Sequence, residues 1–292
     1  MANAEFALRV IMLLAVAVSL AWIYWRLGTR LLRLLRLPRP KLLLAVISLS
    51  LGIASLFLLF SIWVYHGFGY QPDIYRVGDR RSNKVAITFD DGPSQEFTPA
   101  ILDILQELDA PATFFMVGKH VEKFPHIAQR IVAEGHTVGN HTQNHRNLPT
   151  LSTIDLQKEV MEATAIITEV TGVYPTFVRP PRGMYDDRFR RLANLLGQEI
   201  VLWSISTRDW RYGVTPTYIE RLVESRVRGG DIILFHDSGA LVQSEGGDRQ
   251  ATVRSLANVI SIIRAKGLEI VPLDELLHNA APEEFPQVDR PE

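Results

Sequence analysis

Residues 84–94 read KVAITFDDGPS. Val85 to Phe89 are aliphatic, β-branched or aromatic, and a pair of aspartates and a Gly–Pro step follow. Such a run, bounded by turn chemistry, makes a short buried strand. A strand that stops at two adjacent carboxylates is unusual, because like charges side by side repel unless one takes a cation or a proton. One metal ligand beside one free base would satisfy the pair. An acidic turn ahead of a helix is the simpler alternative.

The same order recurs along the chain. A helical pattern over 98–108 leads to ATFFMV at 112–117, and another over 121–134 leads to HTVGNH at 136–141. Helical patterns over 155–171, 186–196, 215–228 and 252–266 then alternate with TFVRPP at 176–181, EIVLWSI at 199–205, DIILFH at 231–236 and LEIVPL at 268–273. Gly172, Gly197 and Gly267 stand where three of these helices should stop. Seven strands alternating with helices predict parallel βαβ units in an α/β fold. The unusual polar residues sit at strand ends: Asp90–Asp91, His141, Arg179, Asp209 and His236. A βα barrel gathers its chemistry at that end of the strands, as a doubly wound sheet also does. The spread of sites over consecutive strands favours a barrel.

Each strand-end motif has a chemical reading. HTQNH puts His141 and His145 four residues apart, so on a helical turn both imidazoles would face one side, as a zinc site requires. Two surface histidines are the alternative. Two histidines and one carboxylate, with positions left open for water, suit a catalytic divalent metal. Zinc is the expected ion, with cobalt, iron and manganese as alternatives. In RPPRG at 179–183, Arg179 can hold a carboxylate, and Gly183 and its neighbours can present a backbone N–H to an oxyanion. LFHD places His236 at the end of an apolar strand, where Asp209 of STRDW can orient and charge it. Trp210 and Leu234 would then form an apolar wall.

Taken together, TFDDGP, HTQNH, RPPRG, RDW and LFHD resemble, in order and spacing, the polysaccharide deacetylases with a NodB-homology domain, carbohydrate esterase family 4. The resemblance runs over roughly residues 84–276. It implies a distorted (β/α)7 barrel, which agrees with the strand count. It implies that Asp91, His141 and His145 hold the metal and that Asp90 is the general base, steadied by Arg179. It further implies that His236 is the general acid, tuned by Asp209, and that Leu234 and Trp210 border the acetyl methyl. A backbone N–H near Arg182 would hold the oxyanion. Two positions depart from the family pattern. Ser206 stands where an acidic residue is frequent, and Arg182 where an aromatic one is. Arg182 is therefore also a candidate contact for an acidic group on the substrate.

The N-terminal part reads differently. Val10–Trp25 and Leu42–Tyr65 are uncharged runs of 16 and 24 residues, separated by a basic loop. About 20 apolar residues cross a bilayer as a helix, and the basic loop would lie in the cytoplasm. Two transmembrane helices are therefore expected, with a signal-peptide core as the alternative for the first run. The expected organisation is a membrane anchor over 1–70, a linker over 71–83, the deacetylase domain over 84–278 and a disordered tail over 279–292. Residues 1–70 carry seven basic side chains and one acid, a net of +6, which leaves -7 for residues 71–292 from the chain's -1. Nothing in that balance suggests nucleic-acid binding. With no cysteine, disulfides, iron–sulfur clusters and thiol catalysis are excluded.

The expectation is a multi-pass membrane protein with an extracytoplasmic catalytic domain, contacting membrane lipid through residues 1–70. Its activity would be metal-dependent N-deacetylation of an amino-sugar polysaccharide. Peptidoglycan is the first substrate choice, and chitin-like or poly-N-acetylglucosamine chains come next. Two other classes compete. One is a catalytically inactive sugar-binding envelope protein on the same fold. The other is a glycoside hydrolase using paired carboxylates, a mechanism that gives the two histidines no role.

Overall fold

The computed structural model describes residues 18–20, 22–30, 33, 47–57, 73–239 and 247–278. The chain separates into two compact units, residues 1–70 and 71–292.

In the first unit the described residues are helical, the longest stretch being 47–57. No helix among the described residues is long and apolar enough to cross a membrane. This corrects the expectation of two N-terminal transmembrane helices, and with it the multi-pass membrane localisation. The rest of Val10–Trp25 and Leu42–Tyr65 lies outside the described residues, as does the tail after His278.

The second unit is a curled parallel sheet wrapped by helices. Its strands are β1 (Ile74–Tyr75), β2 (Lys84–Asp90), β3 (Thr113–Met116), β4 (Thr137–Asn140), β5 (Phe177–Val178), β6 (Glu199–Val201), β7 (Ile205–Ser206), β8 (Ile232–His236) and β9 (Glu269–Ile270). The order is β1-β6-β5-β4-β3-β2-β8-β7, with β9 also on β2. The helices are α1 (Thr98–Glu107), α2 (Gly118–Lys123), α3 (Pro125–Ala133), α4 (Thr153–Thr171), α5 (Asp187–Leu195), α6 (Pro216–Arg226), α7 (Gln250–Ala265) and α8 (Leu273–His278).

Three details differ from the sequence reading. Ile74 and Tyr75, within the expected linker, pair with Ile200 and Val201 as β1. EIVLWSI is broken: β6 pairs with β5 on one side of the curl, while β7 pairs with β8 on the other. One bent segment therefore joins the two sides of the curl. The helical pattern over 121–134 is two helices, because Pro125 begins a new one after Phe124.

Period-two alternation decides which side chains face the concave interior. On β2, Val85, Ile87 and Phe89 pack in the large core that includes residues of α1, α3 and α7. Ala86 instead joins an inner cluster with Phe115, Phe177, Val201, Ile232, Val271, Leu273 and Leu276. Thr88 and Asp90 share Ala86's side of the strand, as Leu234 and His236 share that of Ile232. Leu273 and Leu276 of α8 supply apolar closure at the far end, so polar chemistry is left to the ends of the strands.

Candidate active site

Asp90 is buried on the inner face, and Arg179 reaches it from the residue after β5. Arg179 Nη1 donates to Asp90 Oδ1 at 2.6 Å and to Thr88 Oγ1 at 2.9 Å. Its Nε and Nη2 donate to the carbonyls of Val201 and Leu202 at 3.0 and 2.9 Å. The guanidinium lies 3.9 Å from the Phe115 ring centroid. Gly139 makes room there, since a Cβ on it would come within 2.5 Å of that ring. Burial pulls the pKa of Arg179 down and Asp90 opposes the shift. The free oxygen of the base candidate, Asp90 Oδ2, lies 3.7 Å from His141 Nε2.

Asp91 leaves the strand in the left-handed region, at φ 78°. Its carbonyl accepts from His120 Nδ1 at 2.7 Å. Its Oδ1 lies 3.4 Å from His141 Nε2 and 3.3 Å from His145 Nε2. The two imidazoles are not on a helical turn, as their spacing suggested. They stand on an irregular loop after β4, in which Thr142 and His145 are left-handed at φ 69° and 54°. Three bonds shape that loop. Thr142 N donates to Asn140 Oδ1, His145 N to Thr142 Oγ1 and Asn144 N to Glu159 Oε2. His141 Nδ1 donates to the Arg179 carbonyl at 2.7 Å, which fixes the tautomer and turns Nε2 toward Asp91.

Asp91, His141 and His145 offer one ligand atom each, all within 4.8 Å of one another. Asp91 Oδ1 is buried without a hydrogen-bond partner. An orphaned carboxylate oxygen facing two imidazole nitrogens, at more than hydrogen-bond length, is a donor set that fits a divalent cation. Burial pushes the Asp91 carboxyl up, but His141, His145 and His236 outweigh it and hold its pKa below the usual carboxylate range. Burial holds the His145 pKa down to about 4 against the pull of Asp91, so the ring is neutral at neutral pH.

On the neighbouring strand β8, His236 pairs in register with Asp90. Its Nδ1 and backbone N donate to Asp209 Oδ1 and Oδ2, both at 2.7 Å. Burial disfavours the charged ring, but Asp209, helped by Asp91 and Asp90, raises its pKa to about 9. Leu234 is buried on the same strand face, two residues before it.

Comparison with known proteins then places the chain. The profile of the family described as Polysaccharide deacetylase matches residues 77–201. The peptidoglycan-N-acetylglucosamine deacetylase of Bacillus cereus is 36% identical over 203 residues, covering 70% of this chain and 71% of that protein. The chitooligosaccharide deacetylase of Sinorhizobium fredii is 34% identical over 195 residues, covering 65% and 90%. A crystal structure of a peptidoglycan N-acetylglucosamine deacetylase in complex with 4-naphthalen-1-yl-N-oxidanyl-benzamide superposes with a TM-score of 0.66 at 35% identity, covering 70% and 92%. The chain belongs to the polysaccharide deacetylase family. It is a carbohydrate esterase family 4 hydrolase acting on carbon–nitrogen bonds, a polysaccharide N-deacetylase.

In this polysaccharide deacetylase, close charged contacts link Asp90, Asp91, His141, His145 and Arg179, and link His236 to Asp209. Arg182 is exposed and left-handed at φ 57°, near enough for its charge to help depress His145. The buried Gly183 leaves room for Trp203, since a Cβ would lie 3.0 Å from that ring. The Gly183 N–H donates to the Pro180 carbonyl at 2.9 Å and is committed there. Trp210 is half-buried, with the Arg211 guanidinium 5.6 Å from its ring. Ser206 is half-buried in β7, paired with Leu234.

Sequence reasoning missed several supports of the site. Thr88 shares Arg179 Nη1 with Asp90, and its place on the inner face was readable from alternation alone. Asp237 is buried under the Asp–Asp–Gly–Pro turn and takes a 2.7 Å bond from Thr98 Oγ1. Burial, with Asp91 and Asp90 adding, raises its pKa to about 7. Thr252 Oγ1 donates to Asp209 Oδ2 at 2.8 Å across 43 residues of sequence, a separation that carries no local signal.

Proposed function

We propose that the chain removes acetyl groups from N-acetylglucosamine residues of peptidoglycan, using a divalent cation, zinc first, held by Asp91, His141 and His145. The observation that carries this reading is the convergence of those three ligand atoms around an orphaned Asp91 oxygen, beside the Arg179-held Asp90. A cation bound there would supply Lewis acidity, lowering the pKa of a water and polarising the acetyl carbonyl.

The chain's own residues do the rest. Arg179 holds Asp90 Oδ1, so Oδ2 is left on the side of His141 Nε2 and takes a proton from the attacking water. The turn at Arg182 stabilises the oxyanion. His236, charged through Asp209, gives a proton to the nitrogen as the carbon–nitrogen bond breaks, so acetate and a neutral amine leave. Leu234 and Trp210 border the acetyl methyl. The presence of both acid and base side chains argues against an inactive binding protein. The similarity to a chitooligosaccharide deacetylase supports short N-acetylglucosamine chains as a second substrate.

The test follows acetate release by the full chain from purified peptidoglycan and from N-acetylglucosamine oligomers, with and without a chelator, beside Asp90→Asn. Release is expected to need both the cation and Asp90, and to be faster on peptidoglycan. Release that survives the chelator would overturn the metal reading, and activity on the oligomers alone would overturn the substrate choice.

A further inference from the structure

We propose that Thr252, in the first turn of α7, is a positioning residue that keeps Asp209 an anion through both protonation states of His236. The proposal rests on the reading of His236 as the acid. Asp209 is buried, so its charge has no water to lean on. While the ring is charged, Asp209 is balanced by it, accepting from His236 Nδ1 at 2.7 Å. Once the proton has left Nε2 for the amine, the ring is neutral and only dipoles remain on its side. A buried carboxylate left like that would take a proton itself. It would then no longer hold Nδ1–H in place.

The α7 start meets that need. Thr252 is fully buried, and its hydroxyl donates to Asp209 Oδ2 at 2.8 Å. The same oxygen accepts from the His236 backbone N at 2.7 Å. Both Asp209 oxygens are therefore bonded whether or not the ring is charged. Arg249, 1% exposed and immediately before α7, contributes a permanent positive charge that lowers the Asp209 pKa. The charged groups that act on His236 are Asp209 from the segment after β7, and Asp90 and Asp91 from the end of β2; His145, from the loop after β4, feels its charge in turn. Among these Asp209 has the largest effect, so what holds Asp209 sets when the acid is armed.

The experiment measures acetate release from N-acetylglucosamine oligomers by the zinc-loaded full chain, from acid to alkaline pH. Thr252→Val keeps the shape and removes the hydroxyl. It is expected to move the alkaline limb of kcat up by about one pH unit, because a carboxylate that loses a donor holds the shared proton more tightly, and to cut kcat below that limb about tenfold, with KM within about twofold. Thr252→Ser is expected to restore the limb. A second readout needs no turnover: by NMR, the His236 ring in zinc-loaded Thr252→Ala should titrate about one unit above the parent. An unmoved limb and an unmoved ring titration overturn the proposal, as does a Thr252→Ser chain as displaced as Thr252→Val. His236→Gln separates the two readings. Parent-like activity there would sink the acid assignment, whereas loss there with an unmoved Thr252→Val limb would sink only the clamp.

Discussion

Arg179 is fully buried, and each of its bonds has a separate consequence. Two go to main-chain carbonyls at the end of β6 and just after it, one to Thr88 and one to Asp90. The planar fork of donors matches this arrangement in a way that a lysine ammonium cannot. Arg179→Lys is therefore expected to cost about 3 kcal/mol of stability, because it leaves buried acceptors and a buried carboxylate poorly paired. Urea unfolding checks it, and a midpoint within error of the parent would refute it. His236 gives a pH prediction with a definite sign. Its pKa lies at about 9 in the folded chain against 6.5 for the ordinary group. With His236 as the proposed acid, the ring is charged below about 9, so kcat should fall as pH rises through that value. The same shift makes its contribution to stability complete below 6.5 and lost between 6.5 and about 9. Asp209→Asn should bring the kinetic limb down toward 6.5, measured as a pH–rate profile.

The turn after β2 carries the element-scale prediction. Gly92 lies so close to Asp237 that a Cβ would sit 2.0 Å from Oδ2, and Thr98 pins that carboxyl. Gly92→Ala should destabilise by about 1–3 kcal/mol and disturb the two aspartates before it. Gly92→Ala with Asp237→Ala should cost less than the sum of the two, read as a coupling in urea midpoints. Gly172→Ala, with nothing within 4 Å of its Cβ, should show only the strain of its φ of 73°. Elements of this kind also show what was legible. The seven strand runs were readable because their apolar periodicity and their turn residues agree. Ile74–Tyr75 was not, since two residues carry no periodicity and only the β6 edge makes them a strand. α8 was hidden for a related reason: it begins inside LEIVPL and is six residues long. The site's ends of strands were legible as chemistry, but its backbone was not. Asp91, Thr142, His145, Arg182 and Arg208 all take left-handed conformations that no glycine announces. Side-chain bonds hold the first three there, His120 to the Asp91 carbonyl and Asn140, Thr142 and Glu159 within and around the loop, against a cost of about 1–2 kcal/mol each. A helical turn was the natural reading of HTQNH, and those bonds override it.

At the scale of the whole molecule, the three candidate ligands tie the end of β2 to the loop after β4, on either side of β3. A cation that binds only this folded geometry stabilises it by mass action, about 4 kcal/mol at a thousand times its dissociation constant. For a domain of this size that corresponds to a rise of roughly 10 °C in the unfolding midpoint. Full-length chain melted with zinc and with a chelator should differ by about that much. His145→Ala should remove the difference while leaving the chelated midpoint nearly unchanged, since the ring's Nδ1 is buried with no hydrogen-bond partner among the described residues. The pH sense follows from the same ring. With its pKa held at about 4, protons compete for His145 only in acid, so its part of the zinc increment should persist at neutral pH and fade as pH drops toward that value. Equal midpoints with zinc and chelator at neutral pH would mean that the orphaned Asp91 oxygen is satisfied some other way. The three residues would then not be a metal site, whatever the rate of acetate release.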